Sequence, residues 1–235
     1  MTRRARRWAV VAAAGRGERY GGRLPKQYEK LLGRPVLSWS LGALLASPAI
    51  DGICVALAPG DRRFARLPEA RDPRVRTCDG GERREASVAN ALAALEPRAE
   101  HDDWVLVHDA ARPCLAAADL DALLAATRDD PVGGLLVAPV ADTIKVEDGR
   151  GRVARTADRS LLWRALTPQV FRYGVLSRAL ALCRDRDRPV TDEAAAIEAL
   201  GLKPLLVPGR PDNLKVTTPD DRLLAEAVLR ARRER

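Results

Sequence analysis

The sequence predicts an α/β fold in which a mostly parallel sheet carries helices on both faces. Short apolar runs alternate along the chain with segments of helical periodicity, which is the pattern of repeated strand-helix-strand units. The chain has 235 residues, enough to bury a full core, and we treat residues 1–235 as one domain. Strands are expected at residues 8–14, 52–58, 74–78, 104–108, 134–140 and 203–207.

The helices expected between these strands have apolar residues at helical spacing. Residues 84–95 place Val88, Leu92 and Leu95 on one face. Near the C-terminus, Thr218 is expected to cap a helix whose first position is Pro219 and whose first turn is acidic.

One segment, residues 143–158, interrupts the alternation of strands and helices. Short β-like pieces at 143–146 and 152–155 flank a turn-rich stretch, which predicts a β-hairpin inserted into the fold. The pattern alone leaves three interpretations open, namely a lid, a dimerisation arm and an ordinary surface excursion. We assign residues 141–160 to this β-arm.

Composition limits the kinds of molecule that the protein is expected to bind. The net charge of +8 is compatible with nucleic acid, a membrane surface or phosphorylated small molecules. The arginines are clustered mainly at the two ends of the chain with few aromatic residues among them, which favours a solvated surface over a nucleic-acid groove. No apolar run approaches the ~20 residues of a membrane span. We therefore expect neither a nucleic-acid nor a membrane partner.

The N-terminus and the cysteines both favour a cytoplasmic protein. The basic residues before Trp8 imitate a secretory signal, but the apolar run that follows is short for one and is better interpreted as a buried first strand. Four cysteines lie far apart without a CxxC pair, so neither a zinc site nor a disulfide framework is indicated. They are Cys54, Cys78, Cys114 and Cys183.

The first motif that carries chemistry is the glycine-rich turn after the first strand. Gly15 and Gly17 would let backbone N–H groups approach phosphate oxygens at the carboxyl end of the sheet. The loop is neither a P-loop nor a dinucleotide fingerprint. Because Arg19 and Lys26 follow in the same basic loop, the motif favours a nucleoside triphosphate over a plain turn.

The second motif is a buried strand that runs into Asp109 and Arg112. A carboxylate at this end of a strand is placed to act on a bound metal or substrate, and a guanidinium is suited to a phosphate or hydroxyl group. An internal Asp-Arg ion pair is an equal alternative on this motif alone. His108 is assigned a structural role.

Further polar blocks follow in order along the chain, each with an alternative interpretation as a turn or a cap. For Thr191, in front of two acidic residues, the helix-cap interpretation is the better one. The other residues that stand out in these blocks are Thr143, Arg159, Thr167, Asp212 and Lys215.

Taken together, these blocks resemble the 2-C-methyl-D-erythritol 4-phosphate cytidylyltransferases. The resemblance covers nearly the whole chain, through AAAGRGERYGGRLPKQY, DGGERREASV, VLVHDAARPC, APVADTIK, TADRSLLWRALTPQVF, VTDEAA and GRPDNLKVT. It implies a Rossmann-like nucleotidyltransferase fold with a protruding arm, a homodimer, and CTP and 2-C-methyl-D-erythritol 4-phosphate as substrates. Glu82 is a departure, since the family often has aspartate there.

The resemblance also implies a role for each matching residue. Catalysis is expected of Arg19, Lys26, Arg159 and Lys215. Nucleotide binding is expected of Ala13, Ala14, Gly15, Gly17, Gly81, Glu82 and Ser87. Acceptor binding is expected of Asp109, Arg112, Thr143, Arg159, Thr167, Thr191 and Lys215, with Thr143 and Arg159 reaching the site of the neighbouring subunit.

The expected chemistry fits a site built from cations. A phosphate monoester has a second pKa of about 6, so the attacking oxygen needs no general base. Mg²⁺ is the expected cofactor, with Asp109 and Asp212 as candidate ligands, directly or through water. Two other interpretations remain, a cytidylyltransferase for another polyol phosphate such as ribitol 5-phosphate, and a nucleotide-binding or basic interaction module without turnover.

Overall fold

A computed structural model describes residues 3–15, 21 and 24–234. Short 3₁₀ turns lie at Lys26–Tyr28, Phe64–Arg66, Pro68–Arg71 and Arg159–Leu161. The strands and helices, in chain order, are β1 (Arg7–Ala13), β2 (Lys30–Leu31), β3 (Arg34–Pro35), α1 (Val36–Leu45), β4 (Gly52–Leu57), β5 (Val75–Asp79), α2 (Arg84–Leu95), β6 (Trp104–Asp109), α3 (Ala117–Ala126), β7 (Gly133–Pro139), β8 (Lys145–Glu147), β9 (Val153–Thr156), β10 (Trp163–Arg172), α4 (Tyr173–Asp185), α5 (Glu193–Ala199), β11 (Leu205–Pro208) and α6 (Pro219–Arg233).

The main sheet has seven strands in the order β11-β7-β10-β6-β1-β4-β5. β10 is antiparallel to both of its neighbours, β6 and β7, while the other strand pairs are parallel. The predicted mostly parallel α/β fold is thus confirmed. β10 was not among the six expected strands, because Pro168 lies inside it and a proline normally argues against a central strand. The register of β10 against β7 shifts between Ala165 and Gln169, so the proline lies in an irregular stretch.

Helices cover both faces of the sheet, as expected. Along β1, Ala9 and Val11 belong to the core on the α1 and α3 face, whereas Trp8 and Val10 belong to the core on the α2, α4 and α5 face. This alternation follows from the two-residue period of a strand buried on both sides. Within the described ranges, none of the helices combines the length and the apolar character needed to cross a membrane.

The C-terminal helix α6 begins at the expected capping residue. The Thr218 side chain accepts a hydrogen bond from the Asp221 N–H, and the Asp221 carboxylate accepts one from the Thr218 N–H at 2.8 Å. The reciprocal pair is a capping box, with Pro219 at the first helical position. α6 packs through Ala225 and Leu229 on a third, smaller apolar cluster.

The expected hairpin is present as β8 and β9, which form a two-stranded antiparallel sheet of their own. It lies in the connection between β7 and β10. Three apolar side chains in and after the hairpin are exposed, namely Val153, Leu161 and Trp163. Exposed apolar side chains grouped in this way are typical of a surface that another protein chain covers.

His108 ties β6 to β10 from inside the core. Its imidazole is fully buried, with Nδ1 2.9 Å from the Thr167 hydroxyl and Nε2 3.2 Å from the Arg112 carbonyl oxygen. Because a carbonyl only accepts, Nε2 carries the hydrogen and Nδ1 accepts from Thr167. Burial lowers the pKa of His108 to about 4, so the ring is neutral at physiological pH, in keeping with the expected structural role.

This buried neutral histidine predicts a loss of stability in mild acid. The folded pKa of about 4 lies below the unfolded value of about 6.5, so the unfolded chain binds the proton first as the pH falls. The contribution of His108 is complete above about pH 6.5 and is lost progressively towards pH 4, which amounts to about 2 kcal/mol between pH 7.5 and pH 5. Denaturant unfolding at the two pH values should show this extra loss in the natural chain but not in His108→Gln. Equal losses in the two proteins would contradict the assignment.

Candidate functional site

The predicted site residues gather at the carboxyl edge of the parallel strands, where open α/β sheets bind ligands. β1 ends at Ala13, whose carbonyl oxygen accepts a hydrogen bond of 2.7 Å from the buried side chain of Gln27. This bond fixes the turn that contains Lys26 against the end of β1. Gly15 is exposed at the start of the glycine-rich loop. The predicted residues Gly17 and Arg19 lie outside the described residues.

The segment predicted to contact cytosine follows β5 and packs directly on the end of β1. A Cβ added at Gly80 would collide with Ala14 and would lie 2.9 Å from the Ser87 hydroxyl oxygen, so the close approach requires glycine. The Ser87 hydroxyl accepts the Gly81 N–H at 3.0 Å. Glu82 is exposed between them. The structure thereby brings Ala13, Ala14, Gly81 and Ser87 together.

Asp109 is the electrostatic centre of the site. Its carboxylate is 6% exposed and contacts three cationic side chains, with Arg84 Nε at 2.9 Å, Lys215 Nζ at 2.8 Å and Arg112 Nε at 3.4 Å. Burial alone would raise the pKa of Asp109, but the charges of Arg84, Lys215 and Arg112 hold it well below its usual range. The group is a permanent anion that holds three cations at the edge of the sheet.

A second buried carboxylate, that of Glu193, completes this network on the side of Arg84 that faces away from Asp109. Glu193 is 1% exposed and binds Arg84 through two hydrogen bonds, of 2.7 Å to Nη1 and 3.0 Å to Nη2. Burial raises the pKa of Glu193, while the Arg84 charge acts in the opposite direction. Burial also disfavours the Arg84 charge, yet Glu193 and Asp109 together raise the pKa of Arg84. Arg84 therefore lies between two acids.

Backbone groups of β10 and of the loop after β11 hold other residues that are predicted to bind the acceptor substrate. Arg112 Nη1 donates to the Asn213 carbonyl oxygen at 2.8 Å, and Asn213 Nδ2 donates to the Thr167 carbonyl oxygen at 2.8 Å. The Thr167 hydroxyl accepts the Asp109 N–H at 3.1 Å while donating to His108. Thr167 thus lies beside Asp109, with its hydroxyl hydrogen used inside the protein.

Lys215 and Lys26 approach the same region from the two ends of the chain. After Lys215, the N–H groups of Thr217 and Thr218 donate to Asp221 at the start of α6. Burial would raise the pKa of Asp221, but these hydrogen bonds and the nearby charge of Lys26 lower it. The short segment from Lys215 to Asp221 therefore connects the two predicted catalytic lysines.

Thr191 is exposed and does not cap α5, so that interpretation of the sequence was wrong. The N-cap residue is Asp192, whose carboxylate accepts the Ala195 N–H at 2.9 Å. The buried side chain of Gln169 joins this turn to β10, donating to Asp192 at 2.9 Å and accepting the Ala194 N–H at 2.8 Å. The fixed turn leaves Thr191 free to face solvent.

The two predicted site residues on the arm differ from the Asp109 cluster in their burial and in the contacts they make. Thr143 and Arg159 are both exposed, and the Arg159 guanidinium donates to the Ala141 carbonyl oxygen at the base of the arm. Neither residue contacts the buried carboxylate network within the described part of one chain. A role for them at an active site stays a prediction that involves a second chain.

Cationic side chains surround both predicted metal ligands, which disfavours a direct bond from either carboxylate to a divalent cation. Asp109 is held by three cations, and Asp212 pairs with Arg210 at 3.2 Å and with Arg232 at 2.7 Å. Burial would raise the pKa of Asp212, but the two arginines lower it. No cluster of three or more His, Cys, Asp or Glu side chains suited to a metal occurs among the residues the structure describes. Mg²⁺ bound directly to these carboxylates does not fit.

Sequence reasoning missed the residues that support the site from behind. Arg84 and Glu193 begin two different helices, 109 positions apart, and no pattern in one sequence pairs them. Gln27 and Asn213 were inside the quoted blocks but had no visible reason to be buried. Gly80 could have been identified, since two consecutive glycines after a strand often mark a close backbone approach.

The chain matches known proteins over nearly its full length. The model of the family described as 2-C-methyl-D-erythritol 4-phosphate cytidylyltransferase matches residues 8–231. A protein of that name from Dechloromonas aromatica (strain RCB) is 54% identical over 230 residues, which cover 97% of this chain and 99% of the relative. Another from Pseudomonas putida (strain GB-1) is 53% identical over 215 residues, covering 91% of this chain and 92% of the relative.

Solved structures give the same result. A crystal structure of 4-diphosphocytidyl-2C-methyl-D-erythritol synthase superposes with a TM-score of 0.83 at 38% identity, covering 97% of this chain and all of the other. The Francisella tularensis 2-C-methyl-D-erythritol 4-phosphate cytidylyltransferase superposes with a TM-score of 0.82 at 34% identity, covering 95% and 100%. The chain therefore belongs to the 2-C-methyl-D-erythritol 4-phosphate cytidylyltransferase family.

Proposed function

We propose that the protein transfers CMP from CTP to 2-C-methyl-D-erythritol 4-phosphate, giving 4-diphosphocytidyl-2-C-methyl-D-erythritol and pyrophosphate in the non-mevalonate isoprenoid pathway. Membership of the family supports this activity. The observation on the molecule that supports it best is the buried Asp109 carboxylate with its three cations, directly beside the packed turns after β1 and β5.

The reaction needs charge stabilisation more than proton transfer. A phosphate oxygen of the acceptor forms a bond to the α-phosphorus of CTP. The bond that breaks joins this phosphorus to the oxygen that bridges the α- and β-phosphates. The electron pair leaves with pyrophosphate. Lys26, Arg19 and Lys215 are proposed to bind the triphosphate and to stabilise the negative charge that builds up on these oxygens. Asp109, Arg112, Thr167 and Thr191 are proposed to hold the erythritol.

Divalent metal enters this proposal with the nucleotide. Mg²⁺ is proposed as the cofactor, and because cationic side chains surround Asp109 and Asp212, triphosphate oxygens and water are its proposed ligands.

A homodimer and a cytoplasmic location belong to the same proposal. The exposed apolar side chains of Val153 in the arm and of Leu161 and Trp163 just after it support a two-fold contact between the arms of two chains. All four cysteines are free thiols, which agrees with a reducing compartment.

Pyrophosphate release from CTP with a panel of polyol phosphates tests the function directly. Release that depends on 2-C-methyl-D-erythritol 4-phosphate supports the proposal. A preference for ribitol 5-phosphate would support the other cytidylyltransferase. Nucleotide binding without turnover for any acceptor would support the non-catalytic module.

Lys26→Ala should lose transition-state stabilisation while the fold persists. Deleting one preorganised donor to developing phosphate charge typically costs about 10²-fold or more in rate. The measurements are kcat and the melting temperature, with Lys30→Ala as the matched control because Lys30 is an exposed lysine in β2. A normal kcat in Lys26→Ala at an unchanged melting temperature would rule out the proposed role of Lys26.

The enzyme should select CTP over UTP. Backbone carbonyls near Gly81 and Glu82 would accept hydrogen bonds from the exocyclic amine of cytosine, which uracil lacks, so kcat/KM should differ by about 10-fold or more. Glu82→Ala should keep this preference because the Glu82 side chain is exposed. Ser87→Ala should weaken it, since the Ser87 hydroxyl holds the Gly81 N–H at 3.0 Å. Equal kcat/KM values for CTP and UTP would exclude base reading by this segment.

Two inactive variants should restore activity when they are combined. If the arm crosses the two-fold axis, each site takes Lys26 from one chain and Arg159 from the other. In a heterodimer of Lys26→Ala and Arg159→Ala chains, one site is intact and the other has lost both residues. Random assembly of equal amounts makes half the dimers mixed, so roughly a quarter of the natural activity should return. If Arg159 acts within its own chain, co-expression will recover nothing beyond the separate variants.

A further inference from the structure

The Arg84 guanidinium joins three segments of the site, although the proposed reaction gives it no role. It lies at the first residue of α2, directly after the segment predicted to contact cytosine. Its Nε donates to Asp109 at the end of β6, and its Nη1 and Nη2 donate to Glu193 at the start of α5. One side chain therefore connects the nucleotide side of the site to the acceptor side.

Glu193 prevents Arg84 from acting as a phosphate ligand. A guanidinium binds a carboxylate best through two parallel N–H donors, and Glu193 takes that pair at 2.7 and 3.0 Å. The acid is 1% exposed and the guanidinium is mostly enclosed, so water does not weaken the pair. Other cations of the site are suited to bind a triphosphate, whereas the Arg84 guanidinium binds Glu193 and Asp109.

The bond from Arg84 determines which part of Asp109 stays available. Lys215 at 2.8 Å and Arg112 at 3.4 Å approach Oδ2, whereas Arg84 at 2.9 Å approaches Oδ1. A carboxylate oxygen has about two lone-pair directions. Oδ1 therefore keeps one acceptor direction, and the rigid guanidinium fork fixes that direction.

We propose that Arg84, held by Glu193, is a positioning residue that aims Asp109 Oδ1 at a hydroxyl group of the acceptor polyol. This inference rests on the proposed function and adds to it two residues that act through Asp109.

A paired substitution tests the proposal without leaving a buried charge alone. Removing one partner of a buried ion pair often unfolds a protein, whereas replacing both with apolar residues of similar volume is often tolerated. In the variant Arg84→Met with Glu193→Leu, kcat/KM for 2-C-methyl-D-erythritol 4-phosphate at saturating CTP should fall about 10- to 100-fold, the scale of one hydrogen bond to a charged group. KM for CTP should change less than about 3-fold.

The matched control removes a similar ion pair elsewhere. Arg34 Nη2 lies 2.6 Å from Glu69, which is 6% exposed. The variant Arg34→Met with Glu69→Leu should alter the melting temperature. It should change neither kcat/KM for 2-C-methyl-D-erythritol 4-phosphate nor KM for CTP. A second site variant, Arg84→Lys, keeps the charge but lacks the fork, so it should show the same loss towards the acceptor and the same CTP KM.

The possible outcomes distinguish a failure of this inference from a failure of the proposed function. A folded paired variant with acceptor kcat/KM within 2-fold of the natural enzyme overturns the positioning role. So does a parallel rise of both KM values, which would show a merely structural pair. Failure of the natural enzyme to use any polyol phosphate in the same assay overturns the proposed function instead.

Discussion

A buried carboxylate held among three positive side chains is the constraint on which the rest of this site depends. Asp109 lies at the end of the central strand β6, and the cations that meet it come from α2, from the turn after β6 and from the loop after β11. An anion with so little contact with water would be strongly unfavourable without them. The same cations would repel one another without the anion. The positions of these four side chains are therefore coupled through their charges.

The network also explains why the sheet edge can carry so much positive charge before any ligand binds. Arg84 is neutralised from both sides by Asp109 and Glu193, and Arg210 and Arg232 share Asp212. Lys215 is 38% exposed in its side chain, so only part of it faces solvent. Acidic partners thus hold the positive side chains of this edge in place, and Lys215 is among them.

Much of the fold was readable from the sequence because strand and helix periods are local signals. The six expected strands, the capping box at Thr218 and the hairpin are all present, within two residues of the expected ends. β10 was missed because Pro168 breaks the pattern of a central strand. The candidate site was predicted from motif residues at strand ends, whereas Arg84, Glu193, Gln27 and Asn213 act through contacts distant in sequence. Such pairings depend on tertiary packing, which one sequence does not reveal.

The reversed direction of β10 has a consequence for how the molecule can vary. β7 ends at the edge of the sheet that carries the Asp109 cluster, and β10 starts again from that edge, so the connection between them need not cross the sheet. Doubling the length of such an exposed connection costs only about 0.6 kcal/mol in chain entropy. The turns after β1 and β5 have no such freedom, because Gly80 lies against Ala14 without room for a methyl group. Insertions and deletions should therefore be tolerated in the arm and rejected at the two closely packed turns after β1 and β5.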